Sequence, residues 1–119
     1  MLRTVLRAKI HRATITDTDL HYEGSITLDT ALIEAVDIVP NEKVQVLNVD
    51  NGNRFETYVI PAPAGSGTVL LNGPAARLGE PGDKVIVLAY GLLTDEEVAD
   101  HPKPRVAIVD EQNKITKLL

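Results

Sequence analysis

The stretch that decides the fold is 44-VQVLNVDNGNRFETYVI-60, which predicts two β-strands joined by a turn. The dipeptide Asn51-Gly52 separates two segments, residues 44–49 and 54–60, that are rich in β-branched and aromatic residues. Asparagine and glycine adopt the left-handed backbone conformation that tight hairpin turns require. We therefore predict an antiparallel hairpin here, within a largely β protein.

The residues around this hairpin predict further short strands. Residues 2–13 alternate between two faces, and apolar, β-branched segments lie at 68–71, 84–88 and 105–109. One face of the first strand carries Leu2, Thr4, Leu6, Ala8 and Ile10, and the other carries Lys9 and His11. Many short strands separated by turns indicate a small barrel or sandwich.

Only short helices are predicted. Residues 28–37 match one helix, because Asp29 is suited to cap it and Leu28 and Ile33 are spaced as a hydrophobic staple. A single helical turn is predicted at 95–100, and residues 110–113 form a turn that leads to a polar tail.

Composition and charge describe one globular domain and exclude several classes of function. The chain has 119 residues, 44% hydrophobic and 24% charged, with a net charge of −5, three tyrosines and one phenylalanine. That charge and the scarcity of aromatic residues argue against nucleic acid as a partner. The sequence has no cysteine, no apolar run near the roughly 20 residues of a membrane span, and no signal-peptide pattern after its first methionine. We therefore expect a cytoplasmic protein with no membrane partner.

Positive charge is concentrated at the start of the chain. Arg3, Arg7, Lys9 and Arg12 all precede the first acidic residue, Asp17. This arrangement fits a small anionic substrate better than a polyanion, although Arg3 and Arg7 are more simply explained as a solvated strand face. The three histidines show no metal-ligand spacing, so no metal is expected.

The dipeptide Gly24-Ser25, within 20-LHYEGS-25, is the candidate site of chemistry. Glycine leaves its carbonyl unshielded and tolerates strained dihedral angles, and the serine hydroxyl lies next to that carbonyl. Attack by this hydroxyl would convert the peptide into an ester, and elimination and hydrolysis would then leave Ser25 as an N-terminal pyruvoyl group. The same dipeptide recurs at residues 65–66 in an ordinary loop pattern. The sequence around Gly24-Ser25 therefore has to decide whether that dipeptide is a cleavage site.

That context resembles the pyruvoyl-dependent aspartate 1-decarboxylases. The matching stretches are residues 1–4, 8–12, 19–25, 51–52, 54–58, 71–73 and 82–83, in order and spacing up to about Val109. The resemblance implies a mainly β fold, a small double-psi β-barrel with short helices. It also implies a homotetramer with active sites between subunits, and self-cleavage into residues 1–24 (the β chain) and 25–119 (the α chain).

The resemblance further implies the activity of a carboxy-lyase. L-Aspartate would be decarboxylated to β-alanine and CO₂, for pantothenate biosynthesis, through a Schiff base on the pyruvoyl group derived from Ser25. Removing CO₂ from an amino acid leaves an electron pair at Cα, and the pyruvoyl cofactor would accept it. Neither a metal nor pyridoxal phosphate is expected.

The family assigns a role to each matching residue. Ser25 becomes the pyruvoyl group, Tyr58 donates the proton, and Thr57 polarises the Gly24 carbonyl during cleavage. The implied substrate-binding residues are Lys9, His11, Arg54, Asn72, Gly73, Ala75 and Ala76. Without the resemblance, Arg54 is typical of a solvated residue after a turn and Tyr58 of a half-buried strand aromatic. Arg54 and Tyr58 are four residues apart, so both side chains project from one face of their strand, and that of Thr57 projects from the other.

Residues 72–76 form a further constellation, NGPAA, whose small residues allow a ligand to approach the backbone. Pro74 is suited to the first position of a helical turn, and the N–H groups of Ala75 and Ala76 could then face an anion. The family usually has alanine where this chain has Pro74. Because proline has no N–H, any contact through that amide is lost, and Pro74 itself is more simply explained as part of a plain turn.

Two other functions fit parts of the sequence. A non-catalytic double-psi barrel, used as a binding domain, would need neither cleavage nor a ketone. A hydrolase would use Ser25 with His11 or His21, but the sequence has no nucleophile elbow or ordered triad motif.

Overall fold

The computed structural model describes residues 1–101 and 103–119, and most of them lie in β-strands. The strands are β1 (Leu2–Thr14), β2 (Asp17–Asp19), β3 (Ser25–Asp29), β4 (Lys43–Asn48), β5 (Arg54–Ala62), β6 (Val69–Asn72), β7 (Lys84–Thr94), β8 (Arg105–Val109) and β9 (Ile115–Leu118). The helices are α1 (Thr30–Ala35), a 3₁₀ helix (Gly73–Arg77) and α2 (Asp95–Ala99). Within the described ranges, no helix is long and apolar enough to cross a bilayer.

The strands form one mixed sheet in the order β2-β6-β3-β5-β4-β7-β1-β8-β9. Three neighbouring pairs are parallel, namely β1 with β8, β2 with β6 and β3 with β5, and such pairs require the chain to cross over between them. The sheet encloses one apolar core, to which most strands contribute side chains. This architecture confirms the predicted fold class, a small, mainly β barrel with short helices.

The hairpin predicted from the Asn-Gly dipeptide joins β4 to β5. The two strands are antiparallel, with Val46 opposite Phe55. Gly52 has a φ of +78° in the connecting turn, and its N–H donates to the carbonyl of Asn48 at 2.9 Å. The turn therefore fixes the register of β5, whose later residues reach the candidate site.

Helix α1 has the predicted cap but is shorter than residues 28–37. The carboxylate of Asp29 accepts the N–H of Ala31 at 2.8 Å, and it also accepts those of Gly65 at 2.9 Å and Gly67 at 2.8 Å. Burial by itself would raise the pKa of Asp29, but these N–H donors lower it below its usual value. One buried carboxylate thus ties the loop before β6 to the start of α1.

Strand β1 departs from the simple alternation that its sequence predicts. Ala8 and Ile10 are fully buried, whereas Leu2 is 61% exposed. Register shifts interrupt the pairing of β1 with β7 between Leu6 and Ala8 and again between Ile10 and Ala13. Because a β-bulge redirects the side chains that follow it, the residues predicted to share one face do not form one buried face.

Three strands were not predicted from the sequence, namely β2, β3 and β9, and β7 continues to Thr94 rather than ending at residue 88. The tail after the turn at 110–113 forms β9, an antiparallel partner of β8. All four residues of β9 are exposed. Backbone hydrogen bonds hold this edge strand and none of its side chains is buried, so its sequence lacks the apolar pattern from which strands are predicted.

Candidate active site

Ser25 is the first residue of β3 and is fully buried. It pairs with Asn72, the last residue of β6, in an antiparallel ladder. Since β3 lies between β6 and β5 in the sheet, strands hold its backbone on both sides. The residue predicted to carry the chemistry is therefore fixed by regular structure and does not lie in a free loop.

The hydroxyl of Ser25 has two hydrogen-bond partners. Its oxygen accepts an N–H from Nδ2 of Asn72 at 2.9 Å, and its O–H donates to the carbonyl of Glu23 at 3.3 Å. Asn72 is also buried, and Nδ2 makes a second hydrogen bond, to Oγ1 of Thr27 at 2.8 Å. With both amide hydrogens used, Asn72 holds the hydroxyl oxygen of Ser25 in a fixed position at the start of β3.

The backbone before Ser25 lies against the turn that follows β6. Gly73 has a φ of +63°, and a Cβ at this position would come within 2.7 Å of the Tyr22 carbonyl oxygen and 2.9 Å of the Gly24 nitrogen. Only glycine permits so close an approach in a left-handed conformation. The next residue, Pro74, lies against Gly24, since a Cβ on Gly24 would be 3.3 Å from Cδ of the proline ring.

A cavity of about 380 Å³ opens beside Gly24. Its lining residues are Gly24, Phe55, Glu56, Thr57, Tyr58, Pro74, Ala75 and Leu78. A space of this size, mostly apolar with a few polar groups, suits a small ligand. Larger cavities of about 440 and 530 Å³ lie elsewhere, but neither borders Gly24 or Ser25. Its position beside the candidate scissile bond, rather than its size, marks this cavity as the site.

Thr57 and Tyr58 reach this cavity because β5 runs parallel to β3. The ladder begins with Ile26 opposite Val59, and Gly24 and Thr57 each lie two residues before this pair. Both Thr57 and Tyr58 are half-buried and both line the cavity. Two hydroxyl groups therefore border the same space as the Gly24 backbone.

The 3₁₀ helix starts as the sequence predicted, with a proline in its first turn. Ala75 is 5% exposed and lines the cavity, whereas Ala76 is half-buried and lies outside its lining. Pro74 forms the predicted turn, but its contact with Gly24 goes beyond that simple role. The sequence carried one signal for this contact, the Gly-Pro step directly after Asn72.

The predicted cationic residues are not in this cavity. Lys9 is on β1, which β5, β4 and β7 separate from β3 in the sheet order. Arg54, at the start of β5, is exposed and lies four residues before Tyr58, a distance of roughly 13 Å along a strand. In the part of the chain that the structure describes, neither Lys9 nor Arg54 forms an ion pair.

His11 lies two residues after Lys9 on β1, and its Nδ1 is a buried atom without a hydrogen-bond partner among the described residues. Burial, followed by the charges of Lys9 and Arg12, lowers the pKa of His11 below its usual value. The ring is therefore neutral near pH 7, with an unused nitrogen.

A serine hydrolase would need a histidine beside Ser25. The hydrogen bonds of the Ser25 hydroxyl go to Asn72 and Glu23. His11 is on β1, three strands away from β3 in the sheet order, and His21 is exposed. The geometry thus gives the hydrolase alternative no support.

Known proteins resemble this chain over almost its whole length. The model of the aspartate decarboxylase family matches residues 1–116. The chain is similar to the aspartate 1-decarboxylase of Bacillus cereus strain G9842, with 56% identity over 119 residues, covering all of this chain and 93% of that protein. The proteins of the same name from Bacillus subtilis strain 168 (53% identity; 100% and 93% covered) and Caldicellulosiruptor saccharolyticus (59%; 99% and 91% covered) are also similar.

Proposed function

Because this chain belongs to the aspartate decarboxylase family, we propose that it removes the C1 carboxyl group of L-aspartate as CO₂ and releases β-alanine. The observation that carries the proposal is the buried Ser25 hydroxyl, held by Asn72 directly after a glycine that borders a cavity of small-molecule size. The β-alanine would serve pantothenate biosynthesis in the cytoplasm.

The chain would first process itself at Gly24-Ser25. Oγ of Ser25 attacks the Gly24 carbonyl carbon, the peptide C–N bond breaks, and an ester with a free Ser25 amine results. Loss of the Ser25 Cα proton expels the Gly24 carboxylate together with Oγ and leaves a dehydroalanine. Water then replaces its nitrogen, which departs as ammonia, and a pyruvoyl group heads residues 25–119. Overall, one water is consumed and one ammonia is released.

The residues around Ser25 fit such a group. Gly73 leaves room beside the Gly24 backbone, and the Asn72 N–H that binds Oγ becomes available to another acceptor once Oγ has left. When present, a pyruvoyl ketone supplies an electron sink that binds the substrate amine covalently and accepts the electron pair left by CO₂. Ser25 is buried within the sheet, so bulk water is kept from this position.

The hydroxyl groups at the cavity have separate tasks in the proposed reaction. Thr57, which lines the same cavity as Gly24, donates to the Gly24 carbonyl during cleavage. Tyr58 donates a proton to Cα of the substrate after CO₂ has left. Glu56 also borders the cavity but is paired with Lys43 at 2.7 Å, which offsets its charge near an anionic substrate.

Lys9 and His11 complete the site from a neighbouring copy of the chain. Within one chain, three strands separate Lys9 and His11 from the strand of Ser25. Among the described residues, Nδ1 of His11 has no hydrogen-bond partner and Lys9 forms no ion pair. A second chain that packs over the cavity could bring them to it, in agreement with a homotetramer with sites between subunits. Arg54, exposed and unpaired in the described structure, holds the side-chain carboxylate of aspartate.

The segment that follows β6 holds the substrate from the opposite side. Asn72 borders Ser25 and Gly73 borders Gly24, and the N–H group of Ala75, which lines the cavity, faces the remaining substrate carboxylate. Ala76 lies outside the lining and is left out of this set. Pro74 contributes no N–H to this set.

The test is an assay of purified protein with L-aspartate, in which β-alanine and CO₂ should form in equal amounts. Ser25→Ala is the control, because it removes the attacking hydroxyl while leaving a small side chain in β3. This variant should release no β-alanine. Formation of β-alanine by Ser25→Ala at the wild-type rate would contradict the proposed function.

A further inference from the structure

Three consecutive residues contact the two halves of the Gly24-Ser25 peptide. Asn72 holds the serine half, through its ladder pairing and its 2.9 Å hydrogen bond to Oγ. Gly73 lies against the glycine half, since a Cβ on it would come within 2.9 Å of both N and Cα of Gly24. Pro74 adds its ring on the same side, 3.3 Å from where a Cβ of Gly24 would lie.

We infer that Pro74 is a positioning residue for self-cleavage, whose ring holds the Gly24 carbonyl in reach of the Ser25 hydroxyl. This inference rests on the proposed function and deepens it, because it names what orients the electrophilic half of the scissile bond. Asn72 orients the nucleophilic half from the neighbouring position of the same segment.

The glycine half needs such a support more than the serine half does. Ser25 is paired with Asn72 in the ladder between β3 and β6, whereas Gly24 lies before β3 and has no side chain of its own to restrain it. Glycine also has the widest choice of backbone conformations, so an unsupported Gly24 carbonyl would sample many directions. A misplacement of about 1 Å between reacting groups can slow a reaction by about 100-fold.

Proline suits this task because its ring is rigid. Its φ is fixed near −65°, and the ring position follows directly from the backbone of the 3₁₀ helix, of which it is the second residue. The ring is solvent-exposed and lies on the cavity wall, outside the apolar core. Its removal should therefore alter the support of Gly24 without opening a hole in the core.

The test compares Pro74→Ala with the wild type in a time course of cleavage after cell-free synthesis, followed by intact mass. Pro63→Ala is the matched control, since Pro63 is an exposed proline in the loop before β6, outside the cavity. We expect Pro74→Ala to be cleaved about tenfold more slowly, because the carbonyl is no longer held in line for attack. Pro63→Ala should be cleaved at the wild-type rate.

Hydroxylamine provides a second reading that a general loss of stability would not produce. It cuts the ester formed after Oγ attack, so the rate of hydroxylamine-induced cleavage reports on the attack itself. Pro74→Ala should lower this rate by the same factor as spontaneous cleavage, while its urea unfolding midpoint stays close to that of Pro63→Ala.

Three results would overturn the inference. Equal cleavage rates for Pro74→Ala and the wild type would remove the positioning role and leave the proposed function standing. Slower spontaneous cleavage with an unchanged hydroxylamine rate would place the effect of Pro74 after ester formation. A wild-type chain that stays whole throughout would contradict the proposed processing, and this inference with it.

Discussion

The side chain of Asn72 donates an N–H to the hydroxyl oxygen of Ser25 across 2.9 Å, although 47 residues separate them in the chain. Both residues are buried, and the antiparallel ladder between β3 and β6 sets them directly opposite each other. The sheet thus holds the side-chain amide of Asn72 where its N–H binds the hydroxyl of Ser25, the candidate nucleophile.

Replacing Asn72 with alanine should slow self-cleavage. The change removes the donor that fixes the position of Oγ, and we expect a loss of about 100-fold in the cleavage rate, the cost of misplacing a reacting atom by about 1 Å. Intact mass after a time course measures it. Asn53→Ala, on the turn between β4 and β5, is the control and should be cleaved normally. Normal cleavage of Asn72→Ala would contradict a role for this hydrogen bond.

Tyr58→Phe and Thr57→Val should separate the two reactions that share the cavity. Tyr58→Phe keeps the ring, so the protein should fold and cleave, but turnover per pyruvoyl group should fall by about 10²–10⁴-fold through loss of the general acid. Thr57→Val should instead be cleaved slowly. A gel for cleavage and β-alanine formed per pyruvoyl group measure the two effects. If Tyr58→Phe turns over normally, the proton comes from elsewhere.

Substrate charge should be recognised by Arg54. A charge-assisted hydrogen bond of this kind contributes about 1.5–3 kcal/mol, so Arg54→Ala should lose roughly 10–150-fold in kcat/KM for aspartate. Arg54→Lys should restore only part of it, because the two parallel hydrogen bonds of the guanidinium are lost. Arg3→Ala, which removes an exposed arginine from β1, is the control. Unchanged kinetics in cleaved Arg54→Ala would exclude this residue from the site.

The buried carboxylate of Asp29 should make stability depend on pH in acid. Its pKa is lowered in the folded protein, so the stability that it contributes is complete above the unfolded pKa of about 3.9 and is lost as the pH falls through the folded pKa. Asp29→Asn should be less stable than the wild type by about 1–3 kcal/mol at pH 7, and the gap should shrink below about pH 4.

Urea unfolding at pH 7 and at pH 3 measures this gap. The exposed Asp17→Asn is the control, and it should unfold like the wild type at both values. The prediction compares the free energy of unfolding of Asp29→Asn with that of the wild type. If this difference is the same at pH 7 and pH 3, the charge of Asp29 is not what holds the loop before β6.

Local sequence signals predicted the parts of the fold in which neighbours in sequence determine the structure. Gly52 indicated the hairpin of β4 and β5, and Asp29 indicated the start of α1, because turns and caps depend on a few adjacent residues. Strand β3 was missed, since the Gly24-Ser25 pair that precedes most of it has the composition of a loop. The bulges of β1 were missed too, because they arise from pairing with a distant strand.

The candidate site could be predicted in its residue types but not in its arrangement. The contacts of Ser25 with Asn72 and of Gly24 with Pro74 join segments about 50 residues apart, and no spacing in the sequence encodes them. For Lys9 the prediction and the fold differ. The resemblance placed Lys9 in the site, but in the sheet order it lies on β1, away from the strand of Ser25. In the proposed tetramer, Lys9 would reach the site from a second chain, a contact that the fold of one chain does not make.

The intact mass of the purified protein under denaturing conditions tests the central claim most directly. We predict two species, residues 1–24 and residues 25–119, the larger without a free N-terminal amine and reactive towards hydrazines through its ketone. Ser25→Ala should give one species with the mass of the whole chain and no β-alanine. A single uncleaved wild-type chain that nevertheless decarboxylates aspartate at full rate would contradict the account.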